Sequence, residues 1–413
     1  MASKTLEGIK SIEDFALEDK HLFLRLDLNV PLNDQGTITD DTRLRAALPT
    51  IRYAIDKGAK IILASHLGRP KGKPEDREKF SLEPVARYLN HVLKKEIILV
   101  EEPRAFGTRA LLAGLKPSQI ILLENLRFDP GEEKNDREFA TALASFTDIY
   151  INDAFGASHR AHASIVALPE QLEGKRGLGF LMKKEIEMLD RVRMTPESPF
   201  CVIMGGAKVS DKIDVIETMM DKVDTMIIGG AMAYTFLTAQ KVAVGKSLVE
   251  QDRVKFAADL LMRIQNRGRK FLLPIDHMIT QDIKDTKSLK ATASAAIPDG
   301  WMGVDIGPKT RELYAAEIKK AKTIFWNGPM GVFETPEFAE GTFAIARAIS
   351  DNSKALSVVG GGDSAAAAEA SGLADKFSHI STGGGASLEY LQGDKLPGIE
   401  ALRPPKRSEN VVD

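Results

Sequence analysis

A chain of 413 residues exceeds what one hydrophobic core usually serves, so two domains, with room for a third, are the starting expectation. Hydrophobic residues at 43% and charged residues at 28% exclude a disordered or fibrous chain, and a net charge of −2 with an isoelectric point near 6.4 leaves no global field for nucleic acid or an anionic membrane. The one cysteine, Cys201, excludes an intrachain disulfide and a cysteine-based zinc site and points to a reducing, cytoplasmic setting.

The first fifteen residues carry Lys4, Glu7, Lys10, Glu13 and Asp14 without an apolar stretch, so no export signal is expected, and no apolar run is long enough to cross a bilayer. Short runs rich in Ile, Leu and Val then recur at 22–30, 60–64, 96–100, 120–123, 148–151, 200–204, 226–228, 271–273, 323–326 and 356–359, and these read as buried strands. Charged segments at helical spacing lie between them, among them 136–145, 212–222, 252–264 and 336–349, with an Ala-rich helix start at Ser364 to Gly372. The alternation holds along the whole chain and predicts an α/β fold of two Rossmann-like domains, each a parallel sheet flanked by helices. A break at Leu172 to Phe180, followed by a charged helix over 182–193, predicts a hinge helix between a first domain at 1–180 and a second at 181–393. The tail, 394–413, contains Pro397, Pro404 and Pro405; it is expected to be non-helical and to pack back onto the first domain.

In open parallel sheets ligands bind beyond the carboxyl ends of the strands, and here those ends are of two chemical kinds. The first half reads Arg25-Leu-Asp27-Leu-Asn29-Val-Pro31, Ser65-His66-Leu-Gly68-Arg69-Pro70, Glu124-Asn125-Leu-Arg127-Phe128 and Asn152-Asp153-Ala-Phe155-Gly156, then His159-Arg160-Ala-His162. One arginine in such a place is more often solvated or salt-bridged, but Arg43, Arg69, Arg127 and Arg160 with His66 recur behind successive strands and suit a small, highly charged anion. His159 and His162, three apart, read as structural histidines rather than a metal pair. The second half carries glycine instead, at Gly205-Gly206-Ala-Lys208-Val-Ser-Asp-Lys212, Gly229-Gly230-Ala231, Asn327-Gly328-Pro-Met-Gly331-Val-Phe-Glu334, Gly360-Gly361-Gly362-Asp363-Ser364 and Ser381-Thr-Gly383-Gly384-Gly385-Ala-Ser387. Glycines that admit phosphate to backbone N–H groups, several of them opening a helix, mark a nucleotide half.

Three tempting motifs fail. Gly245-Lys246-Ser247 resembles the end of a Walker A loop, but Gln240 stands where its first glycine is required, so a surface turn is expected. Gly177-Leu-Gly179 lacks the third glycine of a dinucleotide fingerprint, and no Gly-x-Ser-x-Gly elbow offers a hydrolase nucleophile.

Taken in order over nearly the whole chain, the blocks at 25–31, 65–70, 125–128, 153–162, 205–212, 327–334, 360–364 and 381–387 closely resemble the phosphoglycerate kinase family. The resemblance implies reversible phosphoryl transfer from 1,3-bisphosphoglycerate to magnesium ADP, giving 3-phosphoglycerate and ATP in glycolysis; the chain is expected to be a cytoplasmic monomer that binds neither nucleic acid nor membrane. It assigns phosphoglycerate contacts to Asp27, Asn29, Arg43, His66, Arg69, Arg127 and Arg160. It assigns nucleotide contacts to Lys208, Lys212, Glu334, Gly361, Gly362, Asp363 and Ser364, with Mg2+ on Asp363. Arg43 and Lys208, with the helix start at Gly383 and Gly384 that the resemblance assigns, are expected to face the transferring phosphoryl. The chain departs from the family in Ser364, where Thr is usual, and in Ala231, where a third Gly is common.

A carboxylate nucleophile is already ionised at neutral pH, which explains why neither half offers a nucleophile–base pair and leaves positioning and charge stabilisation as the protein's task. Closure of the two halves on both substrates is expected to exclude water. The rival readings are a noncatalytic nucleotide-binding protein on the same fold and an acyl-phosphate kinase for another small carboxylate.

Overall fold

The computed structural model describes residues 3–405, the Phe106 side chain excepted. The chain divides into two compact units, the first running to Glu187 and taking in Lys395 onward, the second running from Met188 to Asp394. The division falls inside the helix Phe180–Arg193, later than the segment at 172–180 where the sequence shows its break.

The first unit holds strands β1 (His21–Leu26), β2 (Lys60–Ala64), β3 (Ile97–Val100), β4 (Ile120–Leu123), β5 (Ile149–Asp153) and β6 (Arg176–Leu178), ordered β3-β4-β2-β1-β5-β6 with every neighbour parallel. Because helices cover both faces of such a sheet, its inner strands need no alternation: Ile61, Ile62, Leu63 and Ala64 are all fully buried. Burying each of these larger side chains contributes about 1.5–3 kcal/mol. Asp136 caps the helix Arg137–Ala144 by accepting from the Phe139 N–H at 2.7 Å, as a Ser/Thr/Asp/Asn start signal predicts.

The second unit holds β7 (Phe200–Met204), β8 (Thr225–Ile228) and β9 (Lys270–Leu272), then β10 (His277–Thr280), β11 (Lys290–Ala291) and β12 (Met302–Ile306), then β13 (Thr323–Asn327), β14 (Leu356–Val359) and β15 (His379–Ile380). Its main sheet runs β15-β14-β13-β7-β8-β9, again all parallel. The alternation of strand and helix is not unbroken: β10, β11 and β12 form a separate antiparallel sheet, built of short strands with mixed burial that carry no continuous apolar run.

Two smaller expectations are also corrected. The glycine-rich segment at 172–180 contains β6, which completes the first sheet by pairing with β5. The tail forms one short helix, Pro397–Glu400, because proline at the first helical position fits the helix rather than breaking it. Within the first unit this segment is tied to earlier chain by Gly398 N–H to Ser158 O at 2.9 Å, Asn152 Nδ2 to Gly398 O at 3.3 Å and Arg403 Nη2 to Thr5 O at 2.8 Å. Residues 406–413 of the expected tail lie outside the described residues.

Candidate active site

In each sheet the strand order reverses beside the first strand of its unit, β1 next to β5 and β7 next to β13, and this is where a doubly wound fold opens its binding crevice. In the first unit Asp27 and Asn29 follow β1, His66 and Arg69 follow β2, Arg127 follows β4 and Arg160 follows β5, so one sheet end gathers residues from four strands. The loops are cross-tied. Arg43 Nη1 donates to Asp27 Oδ1 at 3.2 Å and to Asn29 O at 3.0 Å, the Gly68 N–H donates to Asn29 Oδ1 at 2.8 Å, and Arg127 Nη1 donates to Gly68 O at 2.7 Å. Arg69 is exposed one residue past that shared glycine, and Arg160, half-buried, donates from Nε to His159 Nε2 at 3.1 Å.

His66 is buried at the centre of this set. Burial, reinforced by the positive charges of Arg25, Arg127 and Arg43 and by His162, holds its pKa well below the usual histidine value, so the ring is neutral. Arg25 can only donate, and its Nη2 faces His66 Nδ1 at 3.5 Å, so Nδ1 accepts and the proton sits on Nε2. The ring therefore has one N–H to donate, at Nε2. Burial also lowers the Arg127 pKa, with Glu133 opposing at 3.2 Å.

Arg25, to which the sequence reading gave no role, lies directly beneath His66. It lies on β1, fully buried, donating from Nε to Ser164 Oγ at 2.7 Å and from Nη1 to Leu26 O, with Glu132 Oε1 3.9 Å from Nη2. Glu132 is equally buried and accepts from the Ser164 N–H at 2.9 Å and Ser164 Oγ at 2.6 Å. The signal was present: a charged side chain inside an apolar strand is rarely buried unless paired.

In the second unit the glycine junctions interlock at the β7 and β13 ends. The Gly205 N–H donates to Asn327 O and the Gly206 N–H to Pro329 O, both at 3.0 Å, and a side chain on Gly205 would collide with the Pro329 carbonyl at 2.0 Å. Lys212 Nζ donates to Asn327 Oδ1, and Asn327 Nδ2 to Gly360 O at 2.5 Å, so Asn327 links three junctions although sequence reading gave it no role. Burial lowers the Lys212 pKa, while Asp211 and Asp363 push it back up. Lys208 and Glu334 are exposed on their loops. Gly361, at φ +94°, takes a backbone shape that L side chains rarely adopt and turns the chain into helix Gly362–Ala370, whose first turn presents Asp363. Ser364 is buried, and its hydroxyl accepts from the Gly328 N–H at 2.5 Å, so it braces the neighbouring loop. Gly383 and Gly384 precede helix Gly385–Gln392, where the space around Gly384 and Gly385 is open. Gly245 to Ser247 form the expected turn, with Gly245 at φ +55° and the Ser247 N–H bonded to Val244 O at 3.1 Å.

An arginine pocket on one doubly wound sheet and glycine-lined phosphate cradles on another define a phosphotransferase that takes a nucleotide and a small acidic acceptor. A family model described as phosphoglycerate kinase matches residues 12–394. The chain belongs to the phosphoglycerate kinase family, and its enzyme class is phosphotransferase with a carboxyl group as acceptor. It is 59% identical to a phosphoglycerate kinase of Bdellovibrio bacteriovorus, covering 96% of this chain and 98% of the relative, and 54% identical to one of an Anaeromyxobacter species, covering 96% and 99%. Among solved structures it is similar to phosphoglycerate kinase from Coxiella burnetii, with a TM-score of 0.86 at 38% identity, and to that from Pyrococcus horikoshii, with 0.83 at 35%; each comparison covers 95% of this chain and 98% of the other. The reaction is glycolytic: reversible phosphoryl transfer from 1,3-bisphosphoglycerate to ADP, giving 3-phosphoglycerate and ATP.

Proposed function

We propose that the two residue sets divide this reaction between them. Arg43, His66, Arg69, Arg127 and Arg160, oriented by Asp27 and Asn29, hold the phosphoglycerate, and Lys208, Lys212, Glu334, Gly361, Gly362, Asp363 and Ser364 hold the nucleotide. The observation that carries the reading is the neutral His66 ringed by Arg25, Arg43, Arg127 and His162, a concentration of donors and positive charge that an anionic ligand completes. Arginine forks match both the phosphate and the carboxylate of such a ligand.

The acceptor carboxylate attacks without a base, since it is ionised at neutral pH. Lys208 and Arg43 counter the charge on the moving phosphoryl, the backbone N–H groups around Gly383 and Gly384 face the same group, and Lys212 contacts nucleotide phosphate. The residues fit Mg2+, which is commonly bound through one or two carboxylates together with substrate phosphates. Asp363 is one exposed carboxylate beside Lys212, and the described residues contain no three-carboxylate or His cluster, so the ion would be shared with the nucleotide phosphates. When bound, Mg2+ neutralises phosphate charge. The near-zero net charge gives no global field for nucleic acid or an anionic membrane, and we extend the family reading to a cytoplasmic monomer.

The test is a coupled assay with 3-phosphoglycerate, ATP and Mg2+. Lys208→Ala is expected to lower kcat by about two orders of magnitude or more, on the scale of removing one charge-stabilising group. Near-normal turnover in that variant would overturn the assignment.

A further inference from the structure

Lys208 is exposed on a flexible stem, yet the loop that carries it is held from one side by a single carboxylate some forty residues later in the chain. Glu250 Oε2 accepts from the Val209 N–H at 2.5 Å and the Ser210 N–H at 3.1 Å, and Oε1 accepts from Ser210 Oγ at 2.6 Å. Its own N–H donates to Oγ1 of Thr235 at 3.1 Å, and Thr235 is buried on helix Met232–Ala239. The two residues directly after Lys208 are therefore bolted, through one side chain, to a buried helix of the same unit. Val209 is fully buried beneath this clamp, and the Lys212 N–H donates to Val209 O at 2.9 Å, so the clamp also fixes the start of the segment bearing the second lysine.

We propose that Glu250 is a positioning residue for phosphoryl transfer, setting the shape of the 205–212 loop so that Lys208 meets the transferring phosphoryl. The inference rests on the reading of Lys208 given above. A carboxylate suits this place because both oxygens accept, one from two N–H groups and the other from a hydroxyl, whereas an amide keeps only one of them as a full acceptor and carries no charge. Burial alone would raise the Glu250 pKa, but the hydrogen bonds from Ser210 and Val209 and the nearby Lys208 more than offset it, keeping the group ionised and accepting across the neutral range. Misplacement of a charge-stabilising group by about 1 Å is enough to slow a transfer step substantially while ground-state binding survives.

The experiment measures kcat and both KM values for Glu250→Gln in the wild-type background and in Lys208→Ala. Expected is a fall in kcat of about tenfold with KM for 3-phosphoglycerate changed by less than about twofold, and a further fall of less than about twofold once Lys208 is gone, because coupled residues are not additive. An equal fall in both backgrounds would show a merely structural role and overturn the inference, as would an unchanged kcat in Glu250→Gln. If Lys208→Ala were itself near normal, the reading of Lys208 would fail first, and the inference with it. Ser210→Ala, which removes one of the three bonds and leaves the carboxylate, covers the case of a Glu250 variant that does not fold. Its kcat is expected to fall by about threefold at unchanged KM, and no change would overturn the inference.

Discussion

Replacing Glu132 by Gln removes one of two opposite charges sealed inside the first unit. Arg25 and Glu132 are both fully buried, 3.9 Å apart, with Ser164 Oγ accepting from Arg25 Nε and donating to Glu132 Oε1. At an effective dielectric constant of about 20, two unit charges at that separation attract by roughly 4 kcal/mol, and removing one partner of a buried pair typically costs about 3–5 kcal/mol because the other is left uncompensated. Burial lifts the Glu132 pKa and Arg25 with Ser164 pulls against it, so part of that attraction is already offset by desolvation and about 3 kcal/mol is the expected loss. Urea-dependent hydrogen exchange of the β1 amides reads the change directly. Trp301 and Trp326 both lie in the second unit, so tryptophan fluorescence gives a separate reading there that is expected to move little. The double variant Arg25→Met with Glu132→Leu should lose less than the sum of its parts. A shift in β1 opening below about 1 kcal/mol for Glu132→Gln would refute the view that this pair is electrostatically closed.

Two further predictions concern the second unit. Gly361→Ala forces an L side chain to φ +94° with its Cβ 2.7 Å from Asn327 Nδ2, so it should cost about 1–3 kcal/mol and raise KM for ADP several-fold, measured by urea unfolding and steady-state kinetics. Burial, aided by Glu340 and opposed by the Gly341 and Ile306 N–H groups and Arg311, pushes the Asp305 pKa up to about 7. The folded state therefore holds a proton that the unfolded chain releases near pH ~4, and Asp305 lowers stability as pH rises from about 4 to about 7. The wild-type urea midpoint, followed by tryptophan fluorescence, should fall more steeply over that window than the Asp305→Asn midpoint, and parallel profiles would show Asp305 to be uninvolved.

The parts of this fold that could be read from sequence are those where one residue type does one job. Strands β2, β4, β7 and β14 match their apolar runs residue for residue, because a central parallel strand is buried on both faces and needs no other pattern. Strand β6 has only Arg-Gly-Leu, and its pairing with β5 is a tertiary fact with no local signature. The same holds within the site. His66 and Arg127 stand out as polar residues directly behind strands and Arg43 on the helix Thr42–Asp56, whereas Arg25 is hidden by the apolar strand that contains it. Glu250 stands in an ordinary polar stretch and gains meaning only from the two N–H groups and the hydroxyl it holds. Family resemblance supplied the names of contacts; the bracing beneath them came from geometry.

That bracing bears on the chemistry. His66 and His162 both feel the charges of Arg25 and Arg127, and in another enzyme either would be a candidate acid or base. Here His66 is held well below its ordinary pKa, and His162 is pushed down to about 3, by burial first and by neighbouring arginines second. Both are neutral at pH 7, and a group that far from its titration range has almost no imidazolium to offer as an acid. As a base, a ring surrounded by Arg25, Arg43 and Arg127 is penalised at the moment it takes a proton, since the product is a buried cation among cations. Near neutral pH neither His66 nor His162 adds charge here, and the arginines, which do not titrate, face Asp27 and Glu133, each 3.2 Å from its partner Arg43 or Arg127. Under the proposed function, an acceptor that arrives ionised needs no more than arginine charge and a neutral ring that keeps its proton.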